Sequence, residues 1–185
     1  MNAIKETLIR YCLLISAVSQ IALAEKETMS TSYSFGGHAY ELSSQKKNWQ
    51  MAKRDANKRD GHLVVINSPE EQKFIEKILA DAEKTENFSE PVWIGFTDEE
   101  TEGDWKWVNG DKVTFTFWPP QQPSNTNGIT PENYAVLWPR KETQFTCDKY
   151  QWNDVAGDNK LRYLIEYDEE VVTNNPKNFQ IRTTR

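Results

Sequence analysis

The spacing of apolar and polar positions changes near residue 90 of this chain, from helical periodicity to short runs of β-branched and aromatic residues. The first helical stretch covers residues 44–60, where Trp49, Ala52 and Ala56 recur on one face. Gly61 follows this stretch and is typical of a helix end. We therefore predict an amphipathic helix here, with its apolar face toward the core.

A second helix is predicted from the signals that begin it. Ser68 can cap the helix, Pro69 suits its first turn, and Glu71 completes a capping box. We interpret its apolar stripe as core packing, and the stripe consists of Phe74, Ile75, Ile78 and Leu79.

Short strands account for much of the remaining chain. Residues 33–42 contain aromatic positions around a Gly-Gly turn and predict a β-hairpin. Further strands are predicted at 62–66, 92–96, 105–108, 113–118, 134–137 and 161–167. The segment 119–131 has little apolar content, and ordered loops of that length are uncommon unless they are functional. A hairpin, two helices and then antiparallel strands predict the α+β class.

The first 24 residues, 1–24, have the pattern of a secretory signal peptide. Lys5 and Arg10 supply positive charge, and the apolar run 11–24 is too short to span a bilayer. Ala22-Leu23-Ala24 fits a small-x-small cleavage site. An uncleaved membrane anchor is the alternative interpretation of this segment.

This pattern divides the chain into a signal peptide, a flexible leader (25–32), one domain (33–168) and a polar tail (169–185). We expect the mature protein to be secreted, either periplasmic or extracellular, with no membrane span after cleavage of the signal.

Composition narrows the classes of function. The chain has 185 residues, of which 37% are hydrophobic and 27% charged, so it is long enough for one domain with a packed core. Its net charge of −6 disfavours a nucleic-acid partner, because phosphates would be repelled over most of the surface. An acidic protein is compatible with calcium, which prefers carboxylate ligands.

Nothing in the sequence indicates an enzyme. Cys12 lies in the apolar N-terminal run, which leaves Cys147 alone in the mature chain, and a cysteine nucleophile needs partner side chains. A structural role explains the contexts of His38 and His62. There is no nucleophile elbow, zinc-type spacing or phosphate-binding loop. Glu99-Glu100 is a pair of adjacent surface charges rather than a glycosidase pair.

Several dispersed motifs carry a resemblance to a known family. They are His62 to Ile66 followed by Ser68 and Glu71, then Trp93-Ile94-Gly95-Phe96, then Asp98 to Val108, and finally Trp152-Asn153-Asp154. In content and order these motifs resemble the C-type lectin-like domain, over roughly residues 33–168. The resemblance implies that family's fold, with two helices packed on antiparallel sheets and a long ligand-binding loop.

The family usually has four cysteines in two bridges, and this chain departs from that pattern. The matching positions hold Ala56 with Ile165, and Tyr134 with a position around Ala156. Apolar replacements can restore part of the lost stability by packing. The chain therefore looks like the disulfide-free versions found in bacteria.

The resemblance also implies a site for calcium and sugar. Its ligands would be Gln122, Ser124, Glu132, Asn153 and Asp154. Their side chains offer the hard oxygen donors that calcium accepts. Pro123 would follow a cis peptide bond in such a loop. The alternative is that Asn153-Asp154 holds a turn by side-chain hydrogen bonds.

Ser124 is the main departure within this site. A short neutral hydroxyl stands where the family has Asn or Asp, so we expect calcium affinity no better than about 10⁻⁴ to 10⁻³ M. Asn125 is a possible substitute ligand after a small shift of the loop.

Two further sets of positions are weaker candidates. Asp98 and Glu102, with Asn125, match an accessory calcium position of some family members, and the alternative is a solvated acidic loop. Trp138 lies near the loop-rich region and is an outside candidate for stacking on a sugar. We expect calcium-assisted binding of a carbohydrate or glycoprotein. The alternative is a metal-independent protein-binding or structural member of the same fold, and the sugar is left open.

Overall fold

The structure is a computed structural model that describes residues 33–125, 130–139 and 149–168. The expectations for the signal peptide, the leader, the polar tail and both cysteines fall outside the described residues and stay predictions.

Two helices and eight strands form the described part of the domain. The helices are α1 (Trp49–Lys58) and α2 (Pro69–Glu86). The strands are β1 (Tyr33–Phe35), β2 (His38–Leu42), β3 (His62–Leu63), β4 (Val92–Thr97), β5 (Lys106–Trp107), β6 (Tyr134–Leu137), β7 (Trp152–Val155) and β8 (Arg162–Tyr167).

The strands join in one sheet with the order β1-β2-β8-β4-β6-β7, to which β3 adds on β8 and β5 on β4. The pairing of β4 with β8 is parallel, and the other pairings between these strands are antiparallel. Because both helices and this mixed sheet contribute to the core, the predicted α+β class is confirmed.

The N-terminal signals predicted for α2 are confirmed, with one difference, whereas α1 begins at Trp49 and not near residue 44 as predicted. The helix begins later because Asn48 has an extended backbone conformation. Asn48 caps α1 by accepting from the Met51 N–H, and the Ser68 hydroxyl accepts from the Glu71 N–H at 3.1 Å. The Glu71 carboxylate accepts from the N–H of Asn67, one residue before the cap, at 2.9 Å. Its other oxygen accepts from the Tyr40 hydroxyl at 2.7 Å, so the start of α2 is tied to β2.

The core is divided into two clusters of buried side chains. The first contains Trp152, whose indole N–H donates to the Gln72 side chain at 3.0 Å. The second contains Trp49 on α1 together with Ala56 and Ile165, which are fully buried. The two positions matched to a lost disulfide are therefore packed as apolar core.

Gly95 permits a close approach between β4 and β3. A Cβ at this position would lie 2.6 Å from the Leu63 carbonyl oxygen and 2.7 Å from a methyl of Val108. The Gly95 N–H donates to the Val64 carbonyl at 2.8 Å. A larger residue here would push the backbone segments apart.

Two strand predictions differ from the structure, and one observed strand was not predicted from the pattern. No strand forms over 113–118, although one backbone bond joins the Trp152 N–H to the Phe117 carbonyl at 2.9 Å. The prediction was wrong because these aromatic residues pack individually against the core rather than through a ladder. The strand at 62–66 is limited to His62–Leu63, and β7 was not predicted from the pattern, which offers only two apolar residues in four.

Candidate functional site

The loop before residue 126 is attached to β7 by the carboxylate of Asp154. One oxygen, Oδ2, accepts from the backbone N–H of Ser124 at 2.9 Å and from that of Asn125 at 2.6 Å. The peptide bond between Gln122 and Pro123 is cis, as the resemblance implied. A side chain buried in the sheet therefore fixes the course of the loop.

Asn125 extends this connection to two other segments. Its amide nitrogen donates to the Glu102 carboxylate at 2.7 Å, and its amide oxygen accepts from the Glu132 N–H at 2.8 Å. The residue has a φ of 46°, in the left-handed region that asparagine adopts more readily than most residues. One amide thus brings together the acidic turn after β4, the long loop and the segment before β6.

Asp98 brings a second buried carboxylate to the same place. It follows β4, is 3% exposed, and its Oδ2 accepts from the Gly103 N–H at 2.8 Å. Burial, with a contribution from the charge of Asp154, raises the pKa of Asp98 above its ordinary value. Desolvation and the charges of Asp98 and Asp154 likewise raise the pKa of Glu102. We call Asp98, Glu102, Asn125 and Asp154 the carboxylate cluster.

Hydrogen bonding near this cluster is incomplete. Oδ1 of Asp98, Oδ1 of Asp154 and Oε1 of Gln122 are buried and have no hydrogen-bond partner. A buried acceptor without a partner costs about 1–3 kcal/mol, and more when it is charged. Buried acceptors of this kind are commonly satisfied by a bound cation or by ordered water.

The residues predicted for the site separate into three groups. Glu102, Ser124, Asn125, Glu132 and Asp154 are joined by the hydrogen bonds given above, and Asp98 adjoins them electrostatically. Gln122 lies in the same loop, and its Oε1 is buried without a hydrogen-bond partner. Asn153 lies on β7 and donates from its amide to the Asp154 carbonyl at 2.8 Å. Trp138 is half-buried against the second core cluster and takes no part in these bonds.

One polar residue of this region was not singled out from the sequence. The carbonyl of Asn133 accepts from the Asp98 N–H at 3.2 Å and from the Thr97 hydroxyl at 2.7 Å. Its side-chain oxygen Oδ1 is buried without a partner. The available signal was its position in the chain, directly after Glu132.

The unpartnered oxygens are of the chemical types that bind calcium, but acidic side chains alone do not form a metal site among the described residues. Within 33–125, 130–139 and 149–168, no three or more His, Cys, Asp and Glu side chains make up a metal-ion site. Calcium takes six to eight oxygen ligands and accepts amide oxygens and water as well as carboxylates. The unpartnered oxygens of Asp98, Asp154 and Gln122 are of these types.

We expect no membrane span after cleavage of the signal peptide, and this expectation can be compared with the described helices. None of those in the described ranges is long and apolar enough to cross a bilayer.

Comparison with known proteins places the fold and the site in context. The sequence profile of the family described as Lectin C-type domain matches residues 45–166. The chain is 34% identical over 134 residues to the hepatic lectin of chicken, an overlap of 71% of this chain and 56% of that protein. It is 35% identical over 91 residues to human C-type lectin domain family 17, member A, which covers 49% of this chain and 22% of that protein.

A solved structure gives the same result. The mouse scavenger receptor C-type lectin carbohydrate-recognition domain superposes with a TM-score of 0.62 and 33% identity, over 75% of this chain and 96% of that domain. The chain spans about half or less of the length of the curated relatives named above. These relatives come from chicken, human and mouse, so the expected bacterial type finds no support.

Proposed function

The chain belongs to the C-type lectin domain family, and from that membership we propose that it is a carbohydrate-binding lectin. We propose that its site consists of the loop 119–125, the carboxylate cluster and strand β7, and that binding is assisted by calcium. The observation that carries the proposal is the group of buried acceptors without partners, on Asp98, Asp154 and Gln122.

Electrostatics support a cation at this site. The pKa values of Asp98 and Glu102 are raised, and carboxylates of the same cluster contribute to both shifts. A divalent cation bound here would reverse this effect, because opposite charge favours the ionised form of each carboxyl group. The fold thus holds like charges close together, which costs free energy that a bound cation would recover.

We assign the primary contacts to residues that the fold already gathers. Asp98 and Asp154 would hold the ion, with Asn125 as an amide ligand, and the carboxylate of Glu102 would offset part of its charge from beside them. The further candidates are Gln122, Ser124, Glu132 and Asn153, with Trp138 as a more distant stacking residue. Bound calcium would supply positive charge and open coordination positions for hydroxyl oxygens.

The class of ligand is supported by relatives. The chicken protein is named a lectin, and the mouse domain, at 33% identity, is named for carbohydrate recognition. We propose binding rather than catalysis because the relatives named above are lectins, and we propose a carbohydrate or glycoprotein as the ligand of this chain. Fold alone does not determine the ligand, so the site geometry carries more weight here.

A second candidate function is metal-independent binding of a protein, and one feature favours it. Asp154 Oδ2 already accepts two backbone N–H groups, and Asn125 already joins Glu102 to Glu132. The loop therefore has an ordered course without a cation.

The experiment is a calorimetric titration of calcium into chelator-treated protein. We expect saturable binding with a dissociation constant of about 10⁻⁴ to 10⁻³ M. Asp154→Asn removes charge from the cluster and should abolish the heat of binding. Asp158→Asn is the matched control, because it removes one exposed aspartate outside the cluster.

A glycan array probed with and without calcium then tests the ligand class. Calcium-dependent glycan binding that Asp154→Asn removes would support the proposal. The absence of calcium binding up to about 10 mM, well beyond the weak range for extracellular sites, would contradict it. Glycan-independent capture of a protein partner by the same loop would favour the second candidate.

We also propose that the protein is exported, with cleavage after Ala24. Expression of the full chain followed by N-terminal sequencing of the exported product tests this, and Glu25 is the expected first residue. A product that keeps residues 1–24 and sediments with membranes would show the anchor alternative instead.

A further inference from the structure

A cavity of about 560 Å³ lies beside the β1–β2 hairpin, on residues that the lectin site does not use. Its lining includes His38, Tyr40, Glu71, Asp111, Glu166 and Asp168. Pockets that hold small molecules commonly have volumes of about 300–1,000 Å³. The cavity therefore has room for a ligand and not only for one or two waters.

The lining is strongly acidic. Four carboxylates face the cavity from α2, from the turn at 109–111 and from the end of β8, and its described lining contains no lysine or arginine. A concave wall that carries one sign of charge concentrates the electrostatic field and raises the local concentration of the opposite ion. Since histidine is the only basic residue type in the lining, the cavity favours a cation.

Glu166 is the most enclosed of these carboxylates, at 4% exposure. Its Oε2 accepts from the Val65 N–H at 2.9 Å, and its Oε1 lies 3.2 Å from Nδ1 of His38. His62 Nδ1 is 3.9 Å from the same carboxylate. Burial raises the pKa of Glu166 to about 7, and the charges of Glu71 and Asp168 act in the same direction. The negative charge of the ionised Glu166 side chain is therefore only partly offset by the neighbouring groups.

Aromatic rings complete the wall. Phe35 lines the cavity and stacks on Phe74 with ring centroids 5.0 Å apart, and Tyr40 is held by its hydrogen bond to Glu71. Aromatic faces attract organic cations and also accommodate methylene groups. The wall thus suits a ligand that has a charged end and an aliphatic body.

We propose that this cavity is a second binding site, which takes the ammonium or guanidinium group of an aliphatic organic cation. The charged group lies among the carboxylates of Glu71, Asp111, Glu166 and Asp168, and the aliphatic part lies against Phe35. Binding here is independent of calcium and of the carboxylate cluster, because the two sites share no residue.

Binding should depend on pH in a defined direction. The titratable groups that face Glu166 are His38 and Tyr40 on β2, His62 on β3, Glu71 on α2, Asp111 in the turn before residue 112, and Asp168 after β8. An aliphatic ammonium group stays charged below about pH 10. When the pH falls below about 7, Glu166 gains a proton and the cluster loses negative charge, so affinity falls.

The test uses the full chain in chelator, with 1,5-diaminopentane as the cationic probe and 1,5-pentanediol as its neutral match. Calorimetry at pH 8 should show saturable binding of the diamine in about the millimolar range, as expected for a ligand with few atoms. The diol should not bind. At pH 6 the affinity for the diamine should fall by about tenfold or more, and titrations at pH 7 in two buffers of different ionisation enthalpy should reveal proton release.

Variants locate the site. Asp111→Asn should weaken diamine binding by several-fold, while Asp158→Asn, an equal loss of charge outside the cavity, should leave it unchanged. Glu166→Gln should reduce the pH dependence and the proton release, to which His38 and His62 also contribute. Equal binding of the diol, an unchanged affinity in Asp111→Asn, or a cavity that binds only divalent metal would overturn the proposal. Loss of diamine binding in Asp154→Asn would show that the probe binds at the lectin site instead.

Discussion

Trp152 and Asp154 lie two residues apart on β7, are 0% and 1% exposed, and occupy opposite kinds of surroundings. Alternate residues of a strand point to the same face, so both side chains enter the interior on one side of the sheet. The single polar group of the tryptophan side chain is satisfied, since its indole N–H donates to Gln72. The aspartate keeps one oxygen without a hydrogen-bond partner.

The surroundings of Trp152 show how the stable region is built. Four aromatic rings approach it edge-to-face, with centroids 5.5–5.8 Å away, on Phe96, Trp107, Phe115 and Trp118. Such pairs are each worth about 0.5–1.5 kcal/mol beyond their burial. In the carboxylate cluster, by contrast, burial and nearby like charges raise the pKa values of Asp98 and Glu102. One strand therefore supports a closely packed aromatic region and a region that keeps buried oxygens without hydrogen-bond partners.

The largest effect should come from the packed region. Trp152→Ala removes a fully buried side chain and leaves a cavity among four rings, so we expect a loss of about 3–5 kcal/mol in the free energy of unfolding. Urea denaturation followed by far-UV circular dichroism measures this loss. Trp152→Phe should cost less, because part of the ring packing remains. A loss below about 1 kcal/mol for the alanine variant would show that the ring contacts are not a main source of stability.

A local effect of intermediate size is expected at the start of α2, outside the carboxylate cluster. Ser68→Ala removes the hydroxyl that accepts from the Glu71 N–H, and loss of such a cap costs about 1 kcal/mol. Denaturation measures the loss, and Ser68→Thr is the matched control because it keeps the acceptor. Calcium affinity should be unchanged in both variants. A coupled change in calcium affinity would mean that the core and the site are not separable.

The difference between the two regions also explains what the sequence revealed. The existence of both helices and the cap at Ser68 follow from local signals and are confirmed, although α1 begins at Trp49 rather than near residue 44. Ala56 and Ile165 were expected to pack as apolar replacements for a bridge, and both are fully buried in one core cluster. The segment 113–118 has a strand-like composition but forms no strand, because packing of its aromatic residues overrides local propensity.

The two sites were harder to predict from the sequence than the helices and the core. The members of the carboxylate cluster were named through the resemblance, but that Asn125 joins Glu102 to Glu132 is visible only in the structure. His38 and Glu166 stand 128 positions apart in the chain, and the pairing of β2 with β8 brings them together. No local pattern reports a cavity formed by such distant residues. The pairing of distant strands, rather than the periodicity of apolar residues, creates this cavity.

The smallest effect on stability, and one of opposite sign, is expected at the carboxylate cluster. Asp98→Asn keeps an acceptor for the Gly103 N–H and removes one charge from a crowded group, so the calcium-free protein should gain roughly 0.5 kcal/mol at pH 7. Because the pKa of Asp98 is raised in the folded state, its ionised form is penalised only above its ordinary titration range. The gain should therefore disappear as the pH falls toward about 4.

The same substitution should weaken calcium binding by about tenfold or more, because an amide replaces a charged ligand. Paired denaturation curves at pH 7 and pH 4, with calorimetry at pH 7, measure both effects in one variant. Glu100→Gln is the control, since Glu100 is an exposed acidic residue paired with Lys106 outside the cluster. A destabilised variant with normal calcium affinity would mean that Asp98 serves the packing of the fold, as Trp152 does. A stabilised variant that binds calcium poorly would show that the carboxylate cluster lowers the stability of the fold and serves calcium binding instead.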